Sequence, residues 1–269
     1  MRLRSTIFLP PDGSGLDAAL ESPADAIALG LSDTSLEVAA LRVTAREALA
    51  RINAAGKKAL VAVNHPRTRL LHDDLDAIVT ADLAGVILHH TVEPQDVRDL
   101  AVGLREFENN RGIEPGTVLV YPVIDTARGL IRAVEIVQAA PRVGGLVFGA
   151  QHYARDIGAR HEEKGPRLAY ARGAVVAAAR AFDRLPLITS GGLELAHLAQ
   201  HGFAGAILPS ANHAVTANAA FAPIAAAVER AQAHIAAYET ARADGAWVAR
   251  HEGEVVDISR VRKARQAIL

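Results

Sequence analysis

The sequence predicts an α/β fold, a single (β/α)8 TIM barrel with a C-terminal extension. Short apolar runs recur eight times along the 269 residues, each bounded by Gly, Pro, Asn, Asp or Ser, with stretches of helical period between them. A run that is continuously apolar rather than alternating suits a strand buried on both faces, as in a parallel sheet. Eight such strands alternating with helices is the number that closes into a barrel. A doubly wound open sheet would want a glycine-rich turn after its first strand, and Pro10-Pro11-Asp12-Gly13-Ser14-Gly15 makes no dinucleotide fingerprint.

In order, the strand runs are Thr6–Leu9, Ala26–Leu31, Ala59–Val63, Gly85–Leu88, Val118–Ile124, Gly145–Phe148, Leu185–Ile188 and Gly205–Leu208. After the second run, Leu41, Ala45, Leu49 and Ile52 share one helical face, and after the fifth so do Leu130, Val134 and Val137. Ser35 and Thr91 are candidate N-caps. A long helical pattern from Ala219 to about Asp244 is expected as the last barrel helix. It leads into Gly253-Glu254-Val255-Val256-Asp257 and a short basic helix. The whole chain, 1–269, reads as one domain, with 246–269 a tail packed on a neighbouring subunit.

The net charge is −1 and no Lys/Arg run stands out, so neither nucleic acid nor a membrane surface is expected as a partner; a small-molecule substrate is. No cysteine is present, which excludes disulfides, zinc–thiolate sites and a Cys nucleophile. The stretch Met1 to Pro10 breaks at proline before a signal-peptide apolar region forms, and no run reaches the ~18 residues of a membrane helix. A cytoplasmic protein is expected.

In such barrels the chemistry lies at the C-terminal ends of the strands. Those ends carry Asn64 and His65 after the third run, His89 and His90 after the fourth, and Asp125 after the fifth. Gln151 and His152 follow the sixth, Ser190-Gly191-Gly192 the seventh, and Pro209-Ser210 the eighth. Each histidine has a plainer alternative as a hydrogen-bonded strand-end or solvated loop residue. The glycines after the seventh run are either a tight turn or, with Ser190 and Ser210, a backbone cradle for phosphate.

Several of these segments carry a resemblance. Arg4-Ser5 with Phe8-Leu9-Pro10, Ala24-Asp25-Ala26-Ile27, Gly202-Phe203-Ala204-Gly205 and the tail from Val255-Val256-Asp257 to Ile268-Leu269 resemble the citrate lyase β-subunit-like acyl-CoA lyases of the HpcH/HpaI aldolase superfamily. Ile124-Asp125-Thr126-Ala127-Arg128-Gly129 resembles that family's Ile-Glu-Thr-Ala-Arg-Gly signature, and Val147-Phe148-Gly149-Ala150-Gln151-His152 its Phe-Gly-Ala-Glu-Asp signature, with Ala154, Asp156 and Gly158 continuing the match. The resemblance implies cleavage or formation of a carbon–carbon bond beside an acyl-CoA thioester or 2-oxo acid. It also implies a divalent metal, usually Mg2+, held by carboxylates after the fifth and sixth strands, and a homo-oligomer (trimer or hexamer) in which the tail acid Asp257 reaches a neighbour's site. A cation there would polarise a carbonyl and stabilise the enolate left by bond cleavage.

The departures fall on the chemistry. The signature Glu is Asp125, shorter by one methylene, about 1.5 Å. The following Glu-Asp is Gln151-His152, the expected Arg of the third strand is Ala62, and the acidic cluster ending the second strand reads Gly30, Ser32 and Asp33. The Pro-Lys after the fourth strand is His89-His90, and the late His-Pro is Ser210-Ala211. Drift and re-specialisation both explain such changes. Asp125 with His152 and one of His89, His90 or His65 is a coherent new set, and His89 is taken as the third ligand. A mixed imidazole–carboxylate site prefers Mn2+, Fe2+, Co2+ or Zn2+ over Mg2+. Asn64, Gln151, Ser190, Gly191 and Ser210 are then expected to bind substrate, with Asp257 catalytic and Arg67 or Arg69 standing in for the missing Arg. The expected function is a divergent carbon–carbon lyase or aldolase working through a metal-stabilised enolate. The alternative is a non-catalytic paralogue that binds a phosphorylated or CoA-like ligand.

Overall fold

A computed structural model of the chain describes residues 2–31, 38–159, 168–191, 194–223 and 225–267. The expected positions Ser32, Asp33, Ser35, Gly192, Ile268 and Leu269 lie outside them. The chain divides into two compact units, Leu3–Phe221 and Ala222–Leu269 with Met1–Arg2.

The larger unit is the barrel. Its strands are β1 (Ser5–Leu9), β2 (Ala26–Gly30), β3 (Lys58–Val63), β4 (Leu83–Leu88), β5 (Leu119–Ile124), β6 (Gly145–Phe148), β7 (Leu185–Thr189) and β8 (Gly205–Leu208). They pair in parallel in sequence order, and β8 closes onto β1 through the register Ser5↔Ala206 to Ile7↔Leu208. Closure depends on Gly205, where a Cβ would sit 1.8 Å from the Leu3 carbonyl oxygen. Both strand faces are buried, as the continuous apolar runs require. The outer faces (Ile27, Val61, Val86, Val120) pack on helices, while Ala28, Leu60, Ala62, Tyr121, Val147 and Leu187 fill the interior.

Outside the strands run α1 (Leu16–Glu21), α2 (Val38–Ala54), α3 (Leu71–Ile78), α4 (Pro94–Asn110), α5 (Ala127–Ile131), α6 (Ala133–Val137), α7 (Ala150–Asp156), α8 (Ala169–Ala181), α9 (Leu195–Gln200) and α10 (Ala214–Ala220). In α2 the predicted face holds, with Ala45, Leu49 and Ile52 buried and Leu41 packed beside them. After β5 it does not. The helix breaks at Arg132 between α5 and α6, which re-phases the pattern; Leu130, Ala133, Ile136 and Val137 turn inward and Val134 is left exposed. Thr91 is not the cap of α4, because its hydroxyl donates to the Leu88 carbonyl at 2.9 Å. Glu93 caps instead, in a reciprocal capping box with Asp96 and with Pro94 in the first turn. Later in α4, Glu108 is buried against Arg142 at 2.7 Å and accepts the backbone N–H groups of Gly116 and Val118.

The helix of the eighth barrel unit is α10, not the long pattern expected there. Ser5 Oγ and the Asn218 side-chain oxygen are 2.7 Å apart, and Asn218 Nδ2 donates to the Pro23 carbonyl at 2.7 Å, tying α10 to the start of the barrel. The long pattern is α11 (Ala225–Ala243) of the smaller unit, followed by an antiparallel hairpin, β9 (Ala249–His251) and β10 (Glu254–Val256), and by α12 (Ile258–Ala267). The extension therefore starts at Ala222 rather than at 246, because Tyr238 of α11 shares a small core with Ala249, Val256 and Val261. No helix among the described residues is long and apolar enough to cross a membrane.

Candidate active site

Asp125 follows directly on β5 at the C-terminal mouth of the barrel and is buried to 1% exposure. One of its oxygens, Oδ2, accepts the His90 backbone N–H at 3.2 Å and lies 2.9 Å from His90 Nδ1. Placing both donors on one oxygen needs a sharp turn after β4, and His90 provides it in the left-handed region at φ 54°. The other oxygen, Oδ1, is equally buried and has no hydrogen-bond partner among the described residues. Burial pushes the Asp125 carboxyl above the usual carboxylate range; His90, and less strongly His152, pull it back. The close approach of α7 is possible because residue 149 is glycine, where a Cβ would stand 2.7 Å from the Asp125 Cβ.

Gln151 and His152, in the first turn of α7, are exposed at the mouth. Four rings form a row across it: Phe8 to His89 at 6.2 Å, His89 to His90 at 6.2 Å and His90 to His152 at 5.8 Å. The histidine on Asp125 is thus His90, not the expected ligand His89, and no three His, Asp or Glu side chains among the described residues gather as a ready-made metal site. The adjacent pair His89-His90 marked the place in the sequence; the left-handed turn that decides between them left no mark.

Beside the row opens a cavity of about 540 Å³. Phe8, Pro10, Ile207, Leu208 and Pro209 give it an apolar wall, and His89, Gln151, Thr189, Ser190 and Gly191 complete it. Three expected substrate residues, Gln151, Ser190 and Gly191, are therefore together. The Ser190 N–H, however, donates to the Ile207 carbonyl at 3.0 Å and so cannot cradle a phosphate.

Other expected residues are engaged elsewhere. Asn64 is buried, and its Nδ2 donates to Asp74 at 2.8 Å and to the Leu31 carbonyl at 3.1 Å, a brace at the end of β3 rather than a substrate contact. Asp74, which also accepts Arg42 Nε at 2.8 Å, was not foreseen. Arg67 does not swing to the mouth: it pairs with Glu93 and, at 3.1 Å, with Asp96. Arg69 lines a surface groove beside α3 and α4. Ser210 Oγ accepts the Asn212 N–H at 3.3 Å as a helix cap. Ala62 is fully buried in the barrel interior. In the smaller unit, Asp257 is exposed and its Oδ1 accepts the Arg260 N–H at 2.9 Å, capping α12.

The residues after Asp125 have structural duties. Thr126 caps α5 by accepting the Gly129 N–H at 3.0 Å, Arg128 lies 3.4 Å from Glu93, and a Cβ at Gly129 would press to 2.5 Å on the Thr91 carbonyl oxygen. Asp156 accepts the Ala127 N–H at 2.7 Å, which joins the two signature segments.

The profile of the HpcH/HpaI aldolase/citrate lyase family matches residues 4–206. The chain belongs to that family. It is similar to the citrate lyase subunit beta of Escherichia coli (strain K12), at 30% identity over 97% of this chain and 91% of that one. It is also similar to a (3S)-malyl-CoA thioesterase of Cereibacter sphaeroides, at 26% identity over 98% and 93%. Among solved structures, a citrate lyase from Burkholderia xenovorans LB400 superposes with a TM-score of 0.75 at 17% identity, covering 98% of this chain and 90% of that one. Protein CitE from Mycobacterium tuberculosis, solved with magnesium, acetoacetate and coenzyme A, gives a TM-score of 0.63 at 22% identity over 98% and 96%. These likenesses confirm the barrel. In this HpcH/HpaI aldolase/citrate lyase family member a carboxylate follows β5 with a histidine set against it.

Proposed function

We propose that the protein is a divergent carbon–carbon lyase that makes or breaks a bond beside an acyl-CoA thioester or 2-oxo acid through a metal-stabilised enolate. The observation that carries this reading is the buried Asp125 with its unpartnered Oδ1 at the barrel mouth. A buried carboxylate oxygen with no donor is costly to keep, and a cation is the partner that repays it. Mg2+ is commonly bound by one or two carboxylates with waters and substrate oxygens completing its shell, so one pre-oriented carboxylate fits. Relatives of this fold solved with magnesium support Mg2+, and the imidazole of His152 on the open side extends the choice to Mn2+, Fe2+, Co2+ or Zn2+.

When bound, the cation would polarise the substrate carbonyl and stabilise enolate charge. His90 holds Asp125 Oδ2 and so aims Oδ1; Gln151 and the apolar wall orient the substrate and exclude water. The reading includes a homo-oligomer, trimer or hexamer, in which Asp257 completes a neighbour's site. Equilibrium dialysis with Mg2+ and Mn2+, joined to deuterium exchange at the carbon beside the carbonyl of acetyl-CoA and pyruvate, tests it. One ion per chain, metal-dependent exchange, and loss of both in Asp125→Ala are expected. No bound ion above background in the wild type would overturn it.

A further inference from the structure

The cavity beside the ring row is more informative about the substrate than the metal position is. Its wall is built of Phe8, Pro10, Ile207, Leu208 and Pro209, and among the described residues its lining carries no lysine or arginine. Three polar groups beside that wall are turned into the scaffold. The Thr189 hydroxyl donates to the Phe148 carbonyl at 3.3 Å, the Ser190 N–H to the Ile207 carbonyl at 3.0 Å, and the Pro10 carbonyl accepts the Gly13 N–H at 3.0 Å. Arg67 and Arg128, the cations nearest in sequence to the strand ends after β3 and β5, are both paired with Glu93. A carboxylate against that apolar wall loses hydration and meets no lysine or arginine among the described lining residues, whereas each buried methylene adds about fourfold in affinity.

We infer that this cavity receives an uncharged alkyl tail, and that the substrate of the lyase is a thioester whose 2-oxo-acid half carries one carboxylate rather than two. The inference rests on the lyase reading above. In the cleavage direction the bond between the thioester α-carbon and the carbinol carbon breaks. Its electron pair stays on the α-carbon as the enolate, and the carbinol oxygen gives up its proton to become the keto group of the 2-oxo acid. A proton returns to the α-carbon, so atoms and charge balance with no co-reactant. At about 540 Å³ the cavity has room for more than a methyl group on the carbinol carbon.

The test is a pair of ligands that chelate alike and differ at the tail, 2-oxopentanoate and 2-oxobutanedioate, titrated calorimetrically into the Mn2+-loaded full-length protein. The alkyl ligand should bind at least tenfold more tightly. Gln151→Arg, which adds a cation at the exposed rim without entering the core, should erase or reverse that ratio by strengthening the dicarboxylate. If the wild type binds the dicarboxylate as tightly or more tightly while still holding one metal ion, the inference fails and the lyase reading stands. If the protein holds no metal, both fail together.

Discussion

Asp125 is held where its charge is expensive. Its carboxyl is buried, only one oxygen is hydrogen-bonded, and burial raises its ionisation midpoint. Sites of this kind trade stability for function. Asp125→Asn should therefore abolish metal binding yet raise the thermal midpoint of the metal-free protein, by about 2–4 °C for each 1 kcal/mol recovered; differential scanning calorimetry with and without chelator checks this. His90 can be dissected by two variants. His90→Gly keeps the left-handed turn and the backbone donor but removes Nδ1; His90→Ala removes Nδ1 and also strains the turn at φ 54°. Both should weaken metal binding about 10- to 100-fold, as lost hydrogen bonds behind a ligand do, while the alanine variant lowers the melting temperature further than the glycine variant. Asp125 was legible because it sits inside a matching signature. The Asp125–His90 contact was not, since it joins residues 35 apart through a turn conformation that nothing in His89-His90 encodes.

Among the elements, α4 and α5 carry the mouth. The Glu108–Arg142 pair anchors the far end of α4 to the segments leading into β5 and β6, at the end of the barrel opposite the mouth. Burial alone would raise the Glu108 carboxyl, but Arg142 and the N–H groups of Gly116 and Val118 outweigh it and hold it below its ordinary value. A carboxyl depressed in the folded state stabilises fully above its unfolded midpoint, about pH 4.3, and that contribution is lost as pH falls through the folded value. Urea midpoints should thus fall below about pH 4. Glu108→Gln should cost about 3–5 kcal/mol at pH 7, since it strands the Arg142 charge, and should flatten the acid limb. At α5, Gly129→Ala forces a methyl to within 2.5 Å of the Thr91 carbonyl and should lower expression of folded protein, measured as the soluble fraction. Strand positions were readable because period and punctuation are local. The faces of α5 and α6, and the choice of Glu93 over Thr91 as cap, were not, because each is decided by neighbours elsewhere in the chain.

At the scale of the whole molecule, the chain separates into a barrel and a smaller unit with its own core of Tyr238, Ala249, Val256 and Val261. The proposed oligomer predicts a sedimentation-equilibrium mass that is a multiple of the 28.4 kDa chain, and deletion of the whole smaller unit from 222 onward should reduce it. A persistent monomer at micromolar concentration would count against that arrangement. The eight-strand count gave the barrel from sequence, but the start of the extension at Ala222 depends on a core formed by residues with weak individual signals. Closure through Gly205 has a further consequence for synthesis. The first strand made, β1, keeps one edge unpaired until residues 205–208 have left the ribosome and docked beside it. For most of translation the nascent chain therefore carries an open parallel edge, the kind of surface that invites wrong pairing between chains. Ribosome-associated chaperones should hold this polypeptide until its last barrel strand emerges, and slowing translation before codon 205 should increase its aggregation.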